Sequence, residues 1–118
     1  SDDHQIKMRS IKALGQISYI DGSSILASYL DDEDHLARLE AVKALGRIGV
    51  WDYLAEITDC LSDENWHVRY HAAQALAAIG KEGIAVLEET ASQKDSSDAQ
   101  RIASHMLSEI ELLGGQMA

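Results

Sequence analysis

Two histidines one helical turn apart are the residues of this chain whose spacing most directly suggests chemistry. His67 and His71 stand at i and i+4 of a segment with helical periodicity, which places two imidazoles on one helix face, as in helical zinc sites. Asp63 or Cys60 would have to supply further ligands, and the Glu of the HEXXH pattern is missing because Val68 follows His67. We therefore predict no bound metal and no cofactor, with His67 and His71 as the minor alternative.

Nucleophilic catalysis has even less support in the sequence. There is no Gly-rich phosphate loop, no nucleophile elbow and no meaningful Ser/His/Asp spacing. Cys60, the single cysteine, adjoins Leu61 at the end of an apolar stripe, where a buried structural thiol is expected. One cysteine cannot form an internal disulfide, which favours a reducing compartment. We predict a cytoplasmic segment that is not an enzyme.

A repeat of 31 residues organises the elements that would position these side chains. The clearest copies are 32–49 and 63–80, which align without a gap at Asp32/Asp63, Arg38/Arg69, Ala41/Ala72, Ala44/Ala75, Leu45/Leu76, Ile48/Ile79 and Gly49/Gly80. Weaker copies precede and follow them. The repeats therefore run approximately over 2–30, 31–61, 62–91 and 92–113. The chain begins at Ser1 rather than Met, which is typical of a piece of a longer protein, so an anchor in missing sequence stays open.

Each repeat contains two amphipathic helices, which we name A and B. Helix A carries apolar residues at i, i+4, i+7 and i+8, and a shorter stripe follows for helix B. Gly49 and Gly80 are expected to end A helices in the left-handed conformation, and Gly22 and Gly83 to lie near the A-to-B turns. We predict seven helices, A1 to A4 with three B helices between them, and a short tail at 114–115. The fold is an all-α superhelix of 3.5 to 4 repeats of antiparallel helix pairs.

The motif D-x5-R, A-x2-A-L, I-G resembles HEAT-like repeats of the short class named after the phycobilisome lyases. The resemblance covers nearly the whole chain and implies a solenoid that acts through its surface. It also implies that Asp32, Arg38, Asp63 and Arg69 form a polar ladder between repeats. The first repeat has Lys7 in place of Arg, and a one-residue insertion in 93–98 puts the ladder of the fourth repeat in doubt.

The residues present do not match the enzymatic branches of this repeat class. Di-iron deoxyhypusine hydroxylases need His-Glu pairs, and the chain contains no His-Glu dipeptide. DNA-lesion glycosylases use a basic groove, which the charge of this chain contradicts. Subunits of bilin lyases remain a minor alternative.

The charge of −10, from Lys+Arg 10 against Asp+Glu 20, argues against nucleic acid and anionic membrane as partners. The B segments 18–30, 49–61 and 81–91 contain one base, Lys81, and seven acids: Asp21, Asp52, Glu56, Asp59, Glu82, Glu88 and Glu89. In solenoids of this type the B helices line the concave side. The resemblance and the charge together therefore predict an acidic concave surface.

The acids fall into two rows with different expectations. Asp21, Asp52 and Glu82 stand at the starts of B helices, where capping is the favoured role. Asp59 and Glu89 come late in their helices, where the helix dipole disfavours acids, so solvation or a basic ligand must explain them. The residues predicted to contact a partner are Glu56, Asp59, Glu89, Asp52 and Val86. Trp51 and Trp66 either pack over a neighbouring repeat, which we favour, or stand exposed as interface anchors.

These observations predict a non-catalytic scaffold that binds a protein or peptide, of basic character, on an acidic concave surface. The alternative is an accessory or regulatory module of an enzyme, such as a lyase-type subunit or the C-terminal module of a larger, membrane-anchored protein.

Overall fold

The computed structural model of the chain describes residues 2–17, 20–49 and 51–117. Within these ranges it leaves out the side chains at 2, 14–17, 20–22, 51 and 115–117. The expected roles of the Asp21 carboxylate and the Trp51 ring therefore lie outside the described residues.

Seven α-helices make up most of the described part of the chain, which contains no strand. They are α1 (Asp2–Ile17), α2 (Ile20–Ser28), α3 (His35–Ile48), α4 (Leu54–Asp59), α5 (Trp66–Ile79), α6 (Lys81–Ser92) and α7 (Asp98–Met117). Short 3-10 turns at Tyr29–Asp31, Trp51–Tyr53 and Cys60–Ser62 extend the second and fourth helices. The predicted all-α fold is confirmed, with α1, α3, α5 and α7 as A helices and α2, α4 and α6 as B helices.

A recurring polar turn starts the A helices from α3 onward. The Asp32 carboxylate accepts a hydrogen bond from the Asp34 backbone N–H at 2.9 Å, and Asp34 then caps α3 by accepting from Leu36 N–H at 3.0 Å. Asp63 and Asn65 repeat both contacts at the start of α5. Such caps satisfy amides that have no partner inside the helix. The Asp of the repeat motif therefore stabilises the turn before its own helix, in addition to its contact with a neighbouring repeat.

Glycine ends two of the A helices, although in different conformations. Gly49 adopts the left-handed conformation with φ 71° and ψ 32°, as expected. Gly80 has φ 104° and ψ −141°, a region that is open almost only to glycine but is not left-handed helical, so that expectation was wrong. The following helix, α6, begins directly after Gly80 at Lys81, so the chain must change direction more sharply here than after Gly49. The expected tail at 114–115 was also wrong: Glu111 stands where Gly80 ends α5, and α7 continues to Met117.

Stacked A helices form one layer, and each B helix packs against the A helix that follows it. Helix α3 lies between α1 and α5, while α6 packs against both α5 and α7. Gly83 lies near the A-to-B turn, as expected, in the first turn of α6, and a Cβ there would lie 1.7 Å from the Leu76 carbonyl oxygen. The largest fully buried side chains are Ile11, Leu26, Val42, Leu45, Ile57, Leu61, Val68, Leu76 and Leu87. They form one core along a molecule that measures 44 × 29 × 24 Å.

Candidate functional site

Arg38 joins two successive repeats through a buried ion pair. Its Nε and Nη2 atoms donate to the two carboxylate oxygens of Asp63 at 2.8 and 3.1 Å, and Nη1 donates to the Asp32 carbonyl at 2.7 Å. The side chains of Arg38 and Asp63 are only 9% and 10% exposed. The hydrogen bonds with Asp63 raise the pKa of Arg38 above its usual value. A forked guanidinium suits this double contact, which a lysine could not make.

Lys7 occupies the equivalent place in the first repeat. Its Nζ lies 3.0 Å from Asp32 Oδ1, across the same 25-residue separation as Arg38 and Asp63. The Asp34 backbone N–H and then the Lys7 ammonium hold the pKa of Asp32 below its usual range. The substitution of Lys for Arg therefore keeps the contact between repeats but makes it single rather than double.

In the fourth repeat, two different aspartates make the two contacts that Asp63 makes alone in the third repeat. Asp95 accepts from Ser97 N–H at 3.0 Å, as Asp32 and Asp63 do within their own turns. Arg69 instead has Asp98 as its ion-pair partner, at 3.8 Å. The inserted residue moves Asp95 out of reach, so the last rung of the ladder is long and more exposed.

A groove between the first two B helices gathers acidic side chains around an apolar wall. We call it the B-face groove; its volume is about 200 Å³, and it is lined by Ala27, Leu30, Asp31, Glu56, Asp59, Cys60 and Asp63. Asp31, Glu56 and Asp59 are exposed, and none of the three has an ion pair with another described residue. Asp63 is already neutralised by Arg38. Three uncompensated carboxylates therefore face the groove.

Helix bounds change the expected roles of the B-helix acids. Asp52 lies before α4, in the turn Trp51–Tyr53, and neither it nor Glu82 makes a capping hydrogen bond to a described residue. Glu56 falls in the first turn of α4, where the dipole favours an acid, because that helix is only six residues long. Asp59 ends α4, and Glu89 lies late in α6.

Val86 and Cys60 contribute less accessible surface than the acids around them. Val86 is half-buried and packs against the core. Cys60 is 5% exposed at the end of α4. Burial, with Asp63, Asp59 and Asp31 nearby, raises the pKa of the Cys60 thiol to about 12, which leaves it protonated and poorly nucleophilic at neutral pH.

His67 and His71 lie one turn apart on α5, without further metal ligands in the described part of the chain. No group of three or more His, Cys, Asp or Glu comes together there as a metal site would require. His71 is half-buried, and burial followed by the nearby Lys43 lowers its pKa below the usual value. His67 instead forms a T-shaped ring contact with Trp66, with 4.9 Å between centroids.

Trp66 stacks on its own helix and still remains half exposed. Its ring lies parallel to that of Tyr70, with centroids 5.5 Å apart, and 53% of the residue is exposed. Tyr70 reaches the next A helix by donating to Glu109 at 3.2 Å. Tyr70 thus contacts the neighbouring repeat directly, while Trp66 lines a pocket with Ile102 and His105 of that repeat.

Asp31 is the groove residue that sequence reasoning missed. It directly precedes the ladder residue Asp32 and was assigned to no helix, whereas it closes the 3-10 turn that extends α2. The signal lay in the run of acids at 31–34, of which the turn directs the first toward the groove.

No described helix is both long enough and apolar enough to cross a lipid bilayer. No curated protein matches the sequence of this chain. Proteins built from HEAT repeats generally act as protein-interaction scaffolds and are generally not catalytic. The model of this family, described as HEAT repeats, matches residues 23–108, and since that span covers most of the 118 residues and all the helices from α3 to α6, the chain belongs to the HEAT repeat family.

Proposed function

We propose that the chain is a non-catalytic scaffold that binds a protein or peptide of basic character through its B helices. The observation that supports this most directly is the B-face groove, in which Asp31, Glu56 and Asp59 have no cation to balance them among the described residues. Carboxylates grouped without counterions repel one another. A bound cation relieves that repulsion, so the groove favours partners that carry one.

The groove suits the side chain of a lysine or arginine. Ala27 and Leu30 offer an apolar wall for the aliphatic stem, while the exposed side chains of Glu56 and Asp59 offer carboxylates for the charged head. Lysine and arginine side chains commonly pack their aliphatic stems on apolar surface while their charged heads remain in contact with water. Asp52, Val86 and Glu89 extend the same surface along the B helices, and we propose that this surface is the concave side.

The 31-residue period and the short helix α4 support membership of the short-repeat subclass. We propose that subclass for this chain. We also propose a cytoplasmic location, which is supported by the single cysteine, since it cannot form an internal disulfide.

Titration of the isotopically labelled chain with acetyl-hexalysine amide tests the proposal. We expect amide chemical-shift changes at Asp31, Glu56, Asp59 and Cys60, and we expect the binding to weaken between about 50 and 300 mM salt because exposed charges are screened. The double substitution Asp59→Lys and Glu89→Lys should weaken binding roughly tenfold, the effect of about 1.4 kcal/mol.

The matched control is Glu33→Lys with Glu111→Lys, which changes the net charge equally at exposed positions outside the B helices. If both double variants lose affinity to the same extent, the peptide responds only to the overall charge and the proposal fails.

A further inference from the structure

A second groove lies between the A helices α3 and α5, and it has the opposite charge. We call it the A-helix groove; its volume is about 290 Å³, and it is lined by Val42, Lys43, Gly46, Arg47, His71, Gln74, Ala75 and Ala78. All these residues belong to the two A helices, so the groove shares no residue with the B-face groove.

Close helix packing shapes the floor of the A-helix groove. A Cβ on Gly46 would lie 2.9 Å from the Cβ of Ala75, so the two helices approach each other at their smallest residues. Val42 and Ala78 continue this apolar floor. A partner side chain can therefore place an aliphatic stem on the floor and its polar end at the rim.

The rim carries two cations and a histidine. Lys43 has one weak ion pair, with Glu40 at 3.7 Å, and Arg47 is exposed without an ion pair to any described residue. His71 lies on the opposite wall with a pKa lowered first by burial and then by Lys43. Acids outnumber bases two to one in this chain. An arginine unpaired among the described residues and a weakly paired lysine beside an apolar floor therefore give this groove a charge opposite to that of the chain as a whole.

We propose that the A-helix groove binds an aspartate or glutamate side chain of a protein partner. Lys43 and Arg47 donate hydrogen bonds to the carboxylate, and the aliphatic stem of the acid packs on Gly46 and Ala75. Charge-assisted contacts of this kind are stronger than neutral ones. Nucleic acid fits less well, since it rewards a longer row of cations than two, and the charge of −10 would repel the rest of the strand. The inference does not rest on the function proposed for the B helices.

Titration of the labelled chain with acetyl-hexaglutamate amide tests this proposal. We expect chemical-shift changes at the amides of Lys43, Gly46, Arg47 and His71. The double substitution Lys43→Glu and Arg47→Glu should weaken binding about tenfold or more, because both donors are lost and two like charges replace them. Circular dichroism checks that the variant remains folded.

The matched control exchanges two exposed cations on α1, Arg9→Glu and Lys12→Glu, for the same change of net charge. Retained affinity in this control together with loss in the groove variant supports the proposal. Equal losses in both variants, or shift changes confined to other residues, overturn it. Thymidine hexanucleotide is the second probe: if it binds as tightly as the peptide and shifts the same amides, the assignment to a protein carboxylate is wrong.

Discussion

Arg38 makes its polar contacts to two successive turns, the one that precedes α3 and the one that precedes α5. It binds the backbone carbonyls of Asp32 and Glu33 in the first and the carboxylate of Asp63 in the second. The same Asp63 carboxylate accepts the Asn65 N–H. One residue therefore links the start of its own helix to the start of the next, and the carboxylate of that link lines the B-face groove.

Replacement of Arg38 by methionine should lower the free energy of unfolding by about 3 kcal/mol, because it leaves the Asp63 carboxylate buried without its cation. Urea unfolding followed by circular dichroism measures the effect. Arg101→Met is the control, since Arg101 is 63% exposed and pairs with Asp98 on its own helix; it should cost less than about 1 kcal/mol. Equal costs for the two variants would show that burial of the Arg38 pair does not matter.

At the scale of elements, small residues decide how closely the helices approach. Gly83 brings the start of α6 against the Leu76 carbonyl of α5, and Gly46 brings α3 against Ala75. Single residues also decide where the helices end. Helix α3 ends at Gly49, whereas α7 has Glu111 at the equivalent position and continues to Met117. Leu112 and Leu113 are exposed in this extension.

Gly83→Ala should destabilise the fold by more than about 2 kcal/mol, since the new methyl group would overlap a backbone carbonyl that cannot move aside without shifting α5 or α6. The reference variant is Gly114→Ala, at a glycine of α7 whose Cβ would meet no atom within 4 Å; it should be neutral or stabilise by up to about 1 kcal/mol. Melting temperatures of both variants decide the matter, and a Gly83→Ala chain as stable as the parent would refute the close approach.

At the scale of the whole molecule, the repeats form one row joined by a core and by the ladder. Each A helix packs on the next, so stability is shared between neighbours, as in other repeat proteins. Acids outnumber bases in the chain. The carboxylates in the turns before the A helices differ from the others because they accept hydrogen bonds from backbone N–H groups. The Asp34 N–H and the Lys7 ammonium lower the pKa of Asp32, and the Ser97 N–H lowers that of Asp95.

These lowered pKa values predict how the fold responds to acid. In the unfolded chain, Asp32 and Asp95 take up protons near the ordinary pKa of 3.8, whereas in the folded chain they take them up only at lower pH. Their contribution to the free energy of unfolding is therefore fully present above that pH and is lost as the pH falls below it. Urea midpoints measured from pH 5 to pH 2 should fall, and Asp32→Asn should make the fall shallower. A variant with an unchanged pH profile would contradict the role of Asp32, and Glu33→Gln is the control.

The repeat period, the all-α class, the seven helices and the family could be predicted from the sequence because each repeat carries the same apolar spacing, and helical periodicity is a local property. The acids of the B helices and the Asp–Arg motif were also visible. Helix bounds were less predictable: the B segment 49–61 contains an α-helix of only six residues, α4, between two 3-10 turns, so Glu56 lies in the first turn of that helix.

Neither groove could be foreseen from the order of residues, because each is formed by side chains that different repeats contribute. Asp31 joins Glu56 and Asp59 only when the turn after α2 and helix α4 face one groove, and Lys43 faces His71 only when α3 lies on α5. The 31-residue pattern specifies which faces are buried, as burial of apolar stripes drives the stacking of helices. Which charges then meet across a groove depends on the distance and rotation between stacked helices, and these are set by contacts such as Gly46 with Ala75, which are far apart in the chain.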